Sequence, residues 1–205
     1  MTPAAALALV ACALGVVVVR RRPAAVALVA VQSLILAALA LGDGIGHSTA
    51  LAIAGAALIV KGLALPALLA WIVVRTPEPR LIVEERHALA RAGAAIALAL
   101  ALVVLLPPLG LTERAAQDAA AALLAIGVAT ALLRRASIFQ ALGFLVAENG
   151  VYAAALGTPD GLPALIEVGL IFDLVVVISV AALFSARIHE QLGTADTGLL
   201  REIRE

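Results

Sequence analysis

Apolar residues fill most of the chain in long blocks, and the polar residues gather in short connectors between them. Runs long enough to cross a bilayer cover roughly 3–19, 24–41, 50–74, 92–110, 117–133, 137–157 and 163–185. A spanning helix takes about 20 predominantly apolar residues, fewer when the interface helps. None of the runs alternates apolar with polar, so a β-barrel pattern is absent. A helix also satisfies its backbone polar groups within its own segment, as hydrocarbon demands. The pattern therefore predicts an all-α polytopic membrane protein with about seven transmembrane helices. The connectors carry breaker chemistry at Gly42-Asp43-Gly44, Pro77 and Pro79, Pro107-Pro108, and Thr158-Pro159-Asp160-Gly161.

Composition strengthens this reading. Of 205 residues 64% are hydrophobic and 14% charged, too little charge to cover a soluble domain of this size. The formal net charge is zero, so bulk electrostatics points to no nucleic-acid partner. Charge placement does carry information. Arg20, Arg21 and Arg22 fall in the first connector, Arg75, Arg80, Arg86 and Arg91 in the third, and Arg134 and Arg135 in the fifth. Arg187, Arg201 and Arg204 follow the last run, while the even-numbered connectors hold only Arg114. The positive-inside rule then predicts an outside N-terminus and a cytoplasmic C-terminus. The third connector, with Arg80 and Glu84 at helical spacing, reads as a short surface helix, and GDGIGHST after the second run reads as a turn.

Ligand chemistry is sparse. Cys12 alone holds neither an iron–sulfur cluster nor a tetrahedral zinc site, and His47, His87 and His189 all fall outside the apolar runs. Leu9-Val10-Ala11-Cys12 has the form of a lipoprotein cleavage box. No positive residue precedes it and the apolar run continues to Val19, so it reads as a helix cysteine.

The informative residues are the charges inside the runs, each costing at least a few kcal/mol at mid-membrane unless paired or hydrated. They are Lys61, Glu148, Glu167 and Asp173. Lys61 lies midway along the third run, followed by Pro66, which leaves the Gly62 carbonyl without its helical donor and favours a kink. Glu148 sits at the centre of the sixth run. Glu167 lies about one turn inside the seventh, and Asp173 near its middle, ~9 Å further along the axis and ~120° around it. Gln32 and Ser33 add polarity midway in the second run, and Gln140 lies two turns before Glu148. Burial disfavours a charged form and an opposite charge restores it, so groups balanced between the two exchange protons. Three acids against one lysine favour a proton relay or ion path over static pairing, although hydrogen-bonded glue between helices is the competing reading.

The C-terminal segment RRASIFQALGFLVAENGVYAAAL … LPALIEVGLIFDLVVVISVAALFSARIHEQLGTADTGLLREIRE resembles hydrogenase-4 component E. That family comprises membrane subunits of group 4 [NiFe]-hydrogenase and formate hydrogenlyase complexes. VQSLILAALAL and LIVKGLALPALL resemble its N-terminal half. The last three runs are also similar to subunit K of respiratory complex I. The resemblance implies one membrane domain in three parts: N-terminal helices 1–4 over 1–116, a subunit K-like part over 117–190, and a cytoplasmic tail over 191–205. It further implies a subunit of the prokaryotic cytoplasmic membrane with no catalytic centre of its own. Its nickel–iron centre and iron–sulfur clusters would lie in cytoplasmic hydrogenase-type partners, beside antiporter-like subunits and a membrane anchor subunit. Subunit K carries a key glutamate in each of its last two helices, and these roles would fall on Glu148 and Glu167, with Lys61 and Asp173 modulating or extending the path. Aligning that family's glycine and asparagine on Gly143 and Asn149 places its glutamate near Leu145, one turn before Glu148. The face is kept and the depth changes. A self-contained small transporter and a purely structural membrane-arm subunit are the alternative classes.

Overall fold

The computed structural model describes residues 1–44, 56, 58–60, 62–64, 66, 67, 69, 70, 88–111, 113–134, 137–158 and 173. Among these the continuous elements are all helices: α1 (Pro3–Val18), α2 (Arg22–Gly44), α3 (Ala88–Leu105), α4 (Arg114–Leu133) and α5 (Ser137–Leu156). The described positions between 56 and 70 are helical as well. Four of these helices, α2 to α5, are long and apolar enough to cross a membrane, and α1 is a shorter apolar helix.

The helix ends follow local chemistry. Thr2 caps α1 by accepting a 3.3 Å hydrogen bond from the Ala5 amide, and Pro3 occupies the first helical position, where no amide donor is needed. α3 ends at Leu105, short of the expected 110, because Pro107-Pro108 disfavours helical backbone before it and supplies no donor. It already includes Ala88, ahead of the expected 92. α2 runs through Gly42-Asp43-Gly44, which the sequence reading places in a connector. A glycine costs only about 1 kcal/mol in a helix, so those at the end of a long apolar helix need not stop it. The loop after α3 turns at Gly110, with φ of 74°. Gln117 of α4 clasps that loop, donating to the Pro107 carbonyl at 3.1 Å and accepting from the Leu109 amide at 2.9 Å.

Packing of the described helices centres on α4 and α5, which make the most extensive contact among them. They touch backbone to backbone. A Cβ on Gly127 would lie 2.6 Å from the Gly143 carbonyl oxygen, and one on Gly143 would lie 2.6 Å from the Ala131 nitrogen. Seven residues along each helix the contact recurs, with a Gly150 Cβ 2.9 Å from the Ala120 oxygen. No side chain fits at these points. Small residues at such intervals let membrane helices approach and gain dispersion contact over their length, which replaces the hydrophobic drive that lipid removes. α4 also packs on α3 and α1, α2 packs on α1 and α5, and α3 is the least enclosed of the spans. Leu89, Leu100, Val104 and Leu105 of α3 are exposed, as suits a lipid-facing helix.

Gly127→Leu is accordingly expected to destabilise the bundle by about 2 kcal/mol or more, the usual cost of overpacking. Gly93 has open space around it, so Gly93→Leu should leave stability close to wild type. Unfolding of the purified chain in detergent, followed by circular dichroism, measures both.

Candidate functional site

α5 is the most enclosed of the candidate spans, and midway along it Glu148 and Asn149 are both fully buried. Adjacent helical residues point about 100° apart, so the two address different neighbours. Asn149 faces α2. Its amide nitrogen donates to the Gln32 side-chain oxygen at 2.9 Å and to the Ser33 hydroxyl at 3.3 Å. Ser33 Oγ lies 3.4 Å from Asn149 Oδ1, to which it donates in the alternative arrangement. Gln32 completes the chain by donating from Nε2 to the Leu9 carbonyl of α1 at 2.9 Å. One amide–amide link thus ties α1, α2 and α5 together at mid-depth. Gln32 and Ser33 are buried like their partner, so these bonds offset the desolvation of every amide involved.

Glu148 faces the other way, on the side of α5 that also carries Tyr152 one turn later. The Tyr152 hydroxyl donates to Asp173 Oδ2 at 3.4 Å. Glu148 and Asp173 both bear electrostatically on this phenol. The sequence-predicted acid Asp173 thus lies at the hydroxyl of a tyrosine that the sequence pattern does not single out, and Glu148 lies one turn back along α5 from that tyrosine. Lys61 and Glu167 lie outside the described residues. Gly62, next to Lys61 in the chain, is buried against α2, where an added Cβ would stand 2.9 Å from Ser33 Cβ. Gln140 is half-buried about 12 Å nearer the start of α5. Among the described residues no group of three His, Cys, Asp or Glu could hold a metal ion, and Cys12 is a free, half-buried helix residue.

The two ends of the bundle differ in charge. At one end Arg134, which follows α4 and is buried, donates to the Val17 and Val19 carbonyls at 3.3 and 3.0 Å. Its guanidinium also lies 3.5 Å from the centroid of the Phe139 ring. The cation thereby answers the open carbonyls at the end of α1 and stacks on an aromatic face. Arg20, Arg21 and Arg22 sit in the adjoining turn and at the head of α2. Arg91 lies in the first turn of α3, which by chain direction starts at the same end. The opposite end holds both signs: Arg114 faces Asp118 one turn along α4 at 3.8 Å, and the Met1 amino group pairs with Glu113.

Comparison with known proteins adds one relative. The chain is 36% identical over 104 residues to a Mycobacterium tuberculosis protein described as "Uncharacterized protein Rv0085". The match covers 50% of this chain and 46% of that protein, so the chain spans about half the length of its relative. No family profile matches the chain. No solved structure matches it either.

Removing one partner of the buried amide pair should leave the other desolvated. Asn149→Ala is expected to cost about 1 kcal/mol, in the range of hydrogen bonds between membrane helices. Adding Gln32→Ala to that variant should cost less than the same change in wild type. A double-mutant cycle on unfolding in detergent reads the difference.

Proposed function

We propose that this chain is a non-redox membrane subunit of a hydrogenase-4 or formate hydrogenlyase-like complex related to complex I. In this reading its buried carboxylates form part of a proton path. The observation that carries the reading is Glu148, fully buried midway along α5, the most enclosed candidate span among the described residues. A carboxylate kept at that depth is costly and is the group whose protonation answers most sharply to its surroundings. The resemblance of the C-terminal half to hydrogenase-4 component E and to complex I subunit K supplies the role.

The polar residues divide between two tasks. Asn149, Gln32 and Ser33 hold the helices in register, while Glu148 and Asp173 exchange the proton. Glu167 continues the path, and Lys61 supplies the positive charge that lets an acid ionise at depth. The chain contributes no redox centre. Nickel–iron and iron–sulfur chemistry belongs to cytoplasmic partners, and antiporter-like and anchor subunits flank it in the membrane. The arrangement is a seven-span subunit in a prokaryotic cytoplasmic membrane with the N-terminus outside. The arginine end, with Arg20, Arg21, Arg22, Arg91 and Arg134, supports a cytoplasmic placement of that end. A purely structural membrane subunit is the second reading, favoured by the bonding of Asn149 to Gln32 and Ser33.

Two measurements test this. Glu148→Gln in the intact complex should lower redox-driven proton translocation by about ten-fold or more while assembly is normal, since a relay loses its titrating group. Translocation at the wild-type level would sink the relay and leave the structural reading. For orientation, cysteines are introduced in a Cys12→Ser background. Leu109→Cys should react with an impermeant maleimide in intact cells, and Arg21→Cys only after permeabilisation. The reverse pattern would invert the topology.

A further inference from the structure

We propose that the turn joining α1 to α2 holds the headgroup of an anionic phospholipid, whose acyl chain lies along an exposed stripe of α1. The inference rests on the chain being embedded in a membrane and is independent of the proton path. Leu7, Ala11 and Val18 form the stripe, and all three are exposed. They stand within about 40° of one another around the helix. Leu9, Ala13, Val16 and Val17, on the opposite side, are buried in the bundle. Leu7 to Val18 is ~16 Å along the axis, close to the ~15 Å of hydrocarbon in one leaflet. Just beyond Val18, Arg20 and Arg21 are exposed in the turn, at the level where a headgroup phosphate sits.

Charge at this end favours an anion. Every charged residue described here is an arginine. Arg22 follows the exposed pair in the chain, and Arg134 is held against the Val19 carbonyl just before it. The carbonyl end of α1 would by itself repel a phosphate, but Arg134 covers it by donating to Val17 and Val19. A guanidinium carries five N–H donors in a planar fork that fits two phosphate oxygens at once. An arginine therefore binds a headgroup while keeping a protein partner. A zwitterionic headgroup brings its own ammonium, which these arginines repel. Free inorganic phosphate offers the same oxygens but gains nothing from the α1 stripe. Arginines that serve only to orient the chain would need no particular lipid, and binding measurements separate the two roles.

Purified full-length chain in detergent is titrated with dioleoyl phosphatidylglycerol, dioleoyl phosphatidylcholine or inorganic phosphate, and retention is read by native mass spectrometry. Phosphatidylglycerol should bind about ten-fold or more tightly than phosphatidylcholine, given two exposed arginines near its phosphate. Inorganic phosphate should not be retained. Arg21→Gln should weaken phosphatidylglycerol about five-fold, the contribution of one arginine near an anionic leaflet. Adding Arg20→Gln should bring it down to the level of phosphatidylcholine. Arg114 is exposed at the opposite end, and Arg114→Gln should leave binding unchanged. Equal retention of the two lipids overturns the proposal. So does a loss in Arg114→Gln that matches Arg21→Gln, which would show bulk charge in place of a site. Retention of inorganic phosphate with the same arginine dependence would remove the lipid as occupant. Dihexanoyl phosphatidylglycerol should bind more weakly than the dioleoyl lipid, and equal binding would overturn the role of the α1 stripe.

Discussion

The backbone contact between α4 and α5 is the constraint on which the rest of the bundle depends. Gly127 against Gly143, and Ala120 against Gly150, leave no room for a side chain between the two helices. This proximity surrounds α5 more fully than the other candidate spans and presents its remaining faces to α2 and to Asp173. A carboxylate on such a helix cannot reach the membrane surface by bending its side chain outward, as a residue near a helix end can. Glu148 is held at depth because its helix is held close.

With α5 fixed, the adjacency of Glu148 and Asn149 acquires a physical meaning. One residue is anchored and its neighbour is aimed. The Asn149 amide bonds to Gln32, and Gln32 bonds to the Leu9 backbone, so the rotation of α5 is referred to α1 as well as to α2. About 100° around the helix, Glu148 is delivered to the side of Tyr152. Neutral amides suit the anchoring task, since they keep their bonds whatever protonation state their neighbours adopt. An acid in the same place would keep its bonds in only one protonation state.

Much of the fold was legible because apolar length is a strong signal. The runs at 3–19, 117–133 and 137–157 agree with α1, α4 and α5 to within a few residues. The departures have local causes. α4 begins at Arg114, ahead of its apolar run, because its first turn combines Arg114 and Gln117 with helix-favouring alanines, and α3 stops where the proline pair disfavours continuation. Glu148 and Asp173 were legible as candidate site residues because charge is rare inside apolar runs. Tyr152 was not, since an aromatic residue at helical spacing reads as packing until a carboxylate is found at its hydroxyl. Nor did Gly127 and Gly143 announce a contact, because glycine and alanine are scattered through many of the spans. Which of them meet depends on helix pairing, which composition does not encode.

The charge asymmetry bears on the direction of any proton movement. At the arginine end Arg134 is drawn inward onto the Val17 and Val19 carbonyls and the Phe139 ring, so positive charge is built into the packing there as well as spread over the surface. A fixed cation at one end of a low-dielectric bundle acts over a longer range than the same charge in water. It favours anionic forms of groups nearer to it. A proton entering from that side would meet an opposing field, and one leaving toward it would do so against the same field. The arginine end is therefore a kinetic barrier to a proton passing in either direction.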